Sequence, residues 1–248
     1  MKTIIVLSRK GGTGKTTTVH ALGAGLMKQG KRVLFVDMDG QANLTLTFGA
    51  SEDELNAYDL LCNGAAIGDT IQQTPQGDII AANELLHVSE RYLNGSEDAF
   101  ILSKALEEVK KNYDYCIIDT PAALGMVTIN CIVAANKIIV PVQADLYSSQ
   151  GIPRIMSTFE SITESTGEKR KIDGLLLTRY NPRITISKSI YNDLQEIAKQ
   201  CKTKVYKTTI RECAALKEAE LMQQNIFDYA PKSNGAMDYN AFITEFVG

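Results

Sequence analysis

The chain has 248 residues, 44% of them hydrophobic, and a net charge of −3, which suits a single α/β domain over residues 1–248 and argues against indiscriminate nucleic-acid affinity. Its five cysteines, Cys62, Cys116, Cys131, Cys201 and Cys213, are scattered and form no Cys-x-x-Cys pair, so neither a zinc site nor a disulfide framework is expected. The N-terminal apolar run is too short for a leader or a membrane span, and a reducing cytoplasm is the expected compartment.

The first expected strand, Thr3–Leu7, runs into Ser8-Arg9-Lys10-Gly11-Gly12-Thr13-Gly14-Lys15-Thr16-Thr17, and a helix over Lys15–Gln29 follows. Strand, glycine loop and helix in that order form a phosphate-binding loop. Glycines let successive backbone N–H groups turn inward around phosphate oxygens, and the helix adds its positive end. Lys15 then reaches the β/γ-phosphates and the Thr16 hydroxyl joins the Mg²⁺ shell. The usual pattern has glycine where this chain has Arg9, and a second lysine, Lys10, opens the loop.

A strand over Arg32–Asp37 ends in Asp37-Met38-Asp39-Gly40-Gln41-Ala42-Asn43. Ligands of open parallel sheets lie at the carboxyl ends of strands, so both carboxylates are expected beside the phosphate loop; taken alone, the pair also suits a turn. Turn residues then surround one short helix at Asp53–Leu61, followed by a strand over Asp78–Ala82 and a helix over Ala99–Lys111. The apolar strand Tyr115–Asp119 ends in a carboxylate placed to hold Mg²⁺ directly or through water, and Thr120-Pro121-Ala122-Ala123 follows.

Further on, strands are expected at Lys137–Val142, Leu175–Thr178 and Lys204–Tyr206, and helices at Gly125–Ala135, Ser149–Ser165, Ser187–Cys201 and Asn234–Phe246. This alternation predicts an α/β fold, a mostly parallel twisted sheet with helices on both faces. The two histidines, His20 and His87, read as ordinary helix or loop residues. Residues 168–217 hold twelve Lys/Arg against five Asp/Glu, either a DNA-facing surface or solvated helix faces.

The string Lys10-Gly-Gly-x-Gly-Lys-Thr-Thr resembles the deviant phosphate loop of the ParA/MinD/nitrogenase iron-protein superfamily of P-loop NTPases. Pro141-Val142-Gln143, Leu177 to Arg183, Lys217-Glu218-Ala219 and Tyr229 to Ala236 extend the resemblance, specifically to ParA-type partition ATPases, over nearly the whole chain. The resemblance implies ATP and Mg²⁺ as cofactors and slow, partner-stimulated hydrolysis to ADP and phosphate. It implies an ATP-dependent homodimer in which Lys10 touches the partner's nucleotide, with Lys10, Lys15 and Asp39 catalytic. Nucleotide contacts are implied for Lys10, Gly11, Gly12, Thr13, Gly14, Lys15, Thr16, Thr17, Thr178, Arg179 and Asn181, and metal contacts for Thr16, Asp37 and Asp119. Non-specific DNA is expected at Arg183, Lys188, Arg211 and Lys217, and a centromere-binding ParB-like protein as partner. The chain departs from the family's Asp-x-Asp-Pro-Gln-Gly-Asn at Gly40 and Ala42, and from its basic positions at Glu212 and Ala215.

The phosphate loop begins within ten residues of the first, so no helix-turn-helix segment is expected ahead of it. A MinD-like membrane-cycling ATPase would need a basic amphipathic C-terminal helix, whereas this chain ends in an acidic segment whose apolar positions are expected to pack on the domain. An iron–sulfur reductase would need a cysteine just after Asp119, where Thr120 to Ala123 stand instead. A metabolic ligase or kinase could use the same loop, because a fold does not specify a second substrate.

Overall fold

The computed structural model describes residues 1–143, 151–167, 169–181, 183 and 185–248, apart from the side chains at 151, 153, 154, 165 and 185–188. In chain order its elements are β1 (Lys2–Val6), α1 (Lys15–Lys28), β2 (Val33–Asp37), α2 (Asn43–Phe48), α3 (Ala57–Cys62), α4 (Ile67–Thr70), β3 (Ile71–Thr74) and β4 (Gly77–Ile80). Then come α5 (Ile101–Val109), β5 (Tyr115–Asp119), α6 (Met126–Ala134), β6 (Lys137–Gln143), α7 (Gly151–Thr166), β7 (Gly174–Thr178), α8 (Thr185–Gln200), α9 (Ala214–Leu221), α10 (Ile226–Tyr229) and α11 (Asn234–Val247). Two 3₁₀ segments, Glu84–Arg91 and Ser96–Phe100, precede α5.

Among the described residues the strands form one sheet in the order β3-β4-β2-β5-β1-β6-β7, parallel throughout except for β3 against β4. The central strands are apolar at consecutive positions, and a strand sends alternate side chains to opposite faces. Ile4, Val6, Phe35, Ile117 and Ile139 accordingly enter one core with α1, α2 and α11, while Ile5, Leu7, Leu34, Val36 and Ile118 enter the other with α5, α6 and α7. Both faces of the sheet must therefore be covered. Each fully buried Leu, Ile or Phe contributes roughly 1.5–3 kcal/mol. Helix α1 lies so close to the sheet that a Cβ at Gly23 would strike the Phe35 ring, which is why glycine stands inside a helix there.

The predicted core strands are all present within two residues of their expected ends. The edges differ. β3 was not expected, because its Ile-Gln-Gln-Thr sequence is half-buried and gains its place by pairing with β4. The strand expected at Lys204–Tyr206 reduces to two hydrogen bonds, from Leu175 N–H to Lys204 O (2.8 Å) and from Tyr206 N–H to Leu175 O (2.9 Å). The helix expected from Asp53 starts at Ala57, where Asn56 Oδ1 accepts from Tyr58 N–H (2.9 Å) and Asp59 Oδ2 accepts from Asn56 N–H (3.1 Å), a reciprocal cap that sets the boundary. Residues 149 and 150, the expected start of the helix to Ser165, lie outside the described residues. Tyr239, Phe242, Ile243 and Phe246 of α11 are buried in the core shared with α1, as expected for the C-terminal segment. Cys131 is likewise a buried residue of α6.

Candidate nucleotide-binding site

Strands β2, β5 and β1 are neighbours, and the loops after all three leave at the same end of the sheet. This brings the three motifs together. After β1, Gly12 and Gly14 adopt φ of 74° and 87°, the left-handed region that glycine enters without a Cβ clash, and Gly14 caps α1. The loop is held from within by Thr13 Oγ1 donating to Lys10 O (3.3 Å), and from β7 by Thr178 Oγ1 donating to Thr13 O (2.8 Å). Lys15 opens α1 and is buried; Lys10, five residues earlier, is exposed. A cleft of about 940 Å³ is lined by Gly11, Gly12, Gly14, Lys15, Thr16 and Thr17 on one side and by Asp39, Gln41 and Asn43 on another.

The carboxylates divide by partner. Asp37 and Asp119 stand opposite each other in the β2–β5 register, both buried. Asp37 Oδ2 accepts from Thr45 N–H and Oγ1, each at 2.9 Å, and its Oδ1 accepts from Asp39 N–H (3.1 Å). These bonds tie Asp37 to the loop after β2 and to the start of α2. Asp119 Oδ2 accepts from Thr16 Oγ1 at 2.5 Å, whereas its Oδ1 is buried with no hydrogen-bond partner among the described residues. A bare carboxylate oxygen beside a threonine hydroxyl fits a divalent cation completed by water and phosphate oxygens. Among the described residues no group of three or more His, Cys, Asp or Glu could hold an ion alone.

Burial, and next the neighbouring Asp37 charge, push the Asp119 carboxyl well above the usual carboxylate range, against the Thr16 bond and the Lys15 charge. Asp37 is also raised by burial, against its bonds to Thr45 and Asp39. An acid raised on folding stabilises the fold fully below its unfolded pKa, and that contribution is lost as pH climbs through the folded value. The window therefore opens near 3.8 and extends upward. Asp119→Asn cannot ionise, so in the nucleotide-free chain it should melt roughly 2–5 °C higher than wild type at about pH 8, with the gap closing toward about pH 4. Thermal unfolding across that range checks this; a variant that melts lower at the alkaline end contradicts it.

A family model described as an AAA domain matches residues 1–172. The crystal structure of cobyrinic acid a,c-diamide synthase from Mycobacterium smegmatis, with bound ATP analog and magnesium, has a TM-score of 0.85 at 29% identity, covering 100% of this chain and 94% of that one. The chromosome-partitioning ATPase Soj of Treponema pallidum is 31% identical over 253 residues, 99% of this chain and 97% of that protein. The sporulation initiation inhibitor protein Soj of Bacillus subtilis is 37% identical over 243 residues, 96% of this chain and 95% of its own length. The chain belongs to the ParA-type partition ATPases.

Where ParA-type ATPases carry glycine after the second strand, Ala42 keeps the left-handed backbone, with φ of 52°, at a cost of about 1 kcal/mol. The residues expected to contact nucleotide beyond the loop are spread out. Thr178 sits beneath the phosphate loop, Arg179 lines the cleft with φ of 50°, and Asn181 lines a separate groove with Tyr180, Arg183 and Arg211. Of the basic residues considered for DNA, Arg183 is exposed and Lys217 lines the nucleotide cleft. Arg211 is committed to Asp238 of α11, through Nη2 to Oδ1 at 2.6 Å and Nε to Oδ2 at 2.9 Å. Lys188 falls in α8, but its side chain lies outside the described residues. Sequence reasoning missed Gln41, His87 and Glu220 as cleft residues. Glu220 accepts from Thr17 Oγ1 at 2.5 Å across 203 residues of chain, a separation with no local signal.

Proposed function

We propose that residues 1–248 act as one P-loop ATPase unit, a Mg-ATP-dependent dimerising switch in the partition of a plasmid, chromosome or mobile element. One observation carries the reading: Lys15, Thr16 and Asp39 line a single cleft, with the bare Asp119 oxygen behind Thr16 and exposed Lys10 on the same loop. The 31% identity to the chromosome-partitioning ATPase Soj of Treponema pallidum, across 99% of this chain and 97% of that protein, favours partition over the synthase chemistry of the Mycobacterium smegmatis neighbour.

In this reading the loop N–H groups and Lys15 bind the β/γ-phosphates, while Thr16 and Asp119 hold the cation. Bound Mg²⁺ neutralises phosphate charge. Asp39 orients the attacking water, its carboxylate aimed by the Gln41 N–H donating to Oδ1 (3.1 Å). Lys10 lends its ammonium to the partner subunit's nucleotide, so each site is incomplete in the monomer and ATP joins two copies. Hydrolysis, slow alone and faster with a centromere-binding partner and DNA, separates them. Phosphate contacts to non-specific DNA are assigned to exposed basic residues such as Arg183, which predicts a salt-dependent affinity. The protein works in the cytoplasm, at the nucleoid when DNA-bound.

The test is mass by analytical ultracentrifugation. Wild type should be dimeric with ATP and monomeric without. Lys10→Ala should weaken the ATP dimer about 30-fold while nucleotide affinity of the monomer changes less than about threefold. A wild-type mass indifferent to ATP rejects the switch.

A further inference from the structure

The loop that carries Asp39 turns at Gly40. Ala42 N–H donates to Asp39 O (2.8 Å), closing a four-residue turn in which Gly40 and Gln41 are the central positions. Neither of them has a positive φ, so the backbone does not require glycine at 40. The space does. A Cβ built on Gly40 would lie 2.8 Å from Nε2 of His87 and 2.9 Å from both Cδ2 and Cε1, because the imidazole is seated directly over this turn. The side-chain nitrogen of Gln41 lies 3.3 Å from the same Nε2.

His87 itself is held. It belongs to the 3₁₀ segment Glu84–Arg91, which is capped by Asn83 Oδ1 accepting from Leu85 N–H (3.1 Å) and anchored by buried Leu86 and Ser89. Three residues on, the Glu90 carboxylate lies against Gly125 at the start of α6, so the segment touches the loops after both β2 and β5. His87 lines the same cleft as Asp39. The line of contact runs from the His87 ring to the Gly40 turn, from the turn to Gln41 N–H, and from there to Asp39 Oδ1.

We propose that His87 is a positioning residue for ATP hydrolysis, clamping the Asp39–Ala42 turn from above so that the Asp39 carboxylate keeps one orientation. It does by tertiary contact what a proline at the second position of the turn does covalently, since proline pre-sets φ there. The two devices exclude each other, because any side chain at 40 displaces the ring.

The inference rests on the ATPase reading above, and a four-variant comparison separates the two. His87→Ala should lower kcat about five- to tenfold while KM for ATP stays within about twofold, the signature of lost positioning rather than lost binding. Gly40→Ala, which pushes the ring aside, should show the same loss, and the two changes together should lose no more than either alone. His87→Ala combined with Gly40→Pro should recover to within about twofold of wild type, because a rigid turn no longer needs the clamp. Additive losses, a His87→Ala kcat within about twofold of wild type, or no recovery with proline would each overturn the role of His87. If wild type binds ATP and never cleaves it, the hydrolysis reading itself falls, and the clamp falls with it.

Discussion

Lys15→Ala should lose ATP affinity by about 10²–10³-fold, roughly 3–4 kcal/mol, and with it all measurable hydrolysis. The size of the effect follows from burial. Lys15 is only 8% exposed, so its charge meets the triphosphate where water screens it poorly. A second consequence compounds the first: Lys15 is one of the groups that favour the ionised form of Asp119, and without it that carboxyl rises further and holds a cation less well. Isothermal titration with ATP and Mg²⁺ reads the loss directly. A variant that binds within about threefold of wild type would remove Lys15 from the phosphate site, and the nucleotide reading with it.

Asp39→Ala should separate binding from chemistry. Hydrolysis should fall about 100-fold while ATP affinity stays within about threefold, leaving an ATP-bound dimer that no longer comes apart. Asp39 accepts the Gln41 N–H, so alanine also frees the turn. Asp39→Asn keeps an acceptor for that bond and discards only the charge, and it should show the same loss. Recovery with asparagine would make Asp39 a structural turn residue instead. In cells, either variant should raise replicon loss toward random distribution, and unaffected inheritance would reject the partition role while leaving the ATPase chemistry intact.

The local motifs were legible because their chemistry is contiguous in the chain. Gly11 to Thr17 must form one loop for the phosphates to be cradled, and Asp39 and Asp119 follow apolar strands whose buried position their own composition dictates. The difference between Asp37 and Asp119 was not legible. Both end buried strands, yet Thr45 occupies one carboxylate and leaves an oxygen of the other bare, which depends on where α2 starts. Arg211 illustrates the same limit. It lies in a basic stretch, but Asp238, 27 residues away, takes up its guanidinium.

In the sequence His87 reads as an ordinary helix or loop residue, and nothing near it in the chain says otherwise. Its contact with Gln41 spans 46 residues and the space it occupies is recorded only as the missing side chain of Gly40. Sequence by itself determined the parallel sheet, its two-sided core and the phosphate loop, since apolar runs and glycine spacing constrain the backbone within a few residues. Tertiary structure alone decided which carboxylate stays open, which cations are already paired and what braces the turn beneath Asp39. Those outcomes depend on side chains brought together by the order of strands in the sheet, and spacing along the chain carries no record of that order.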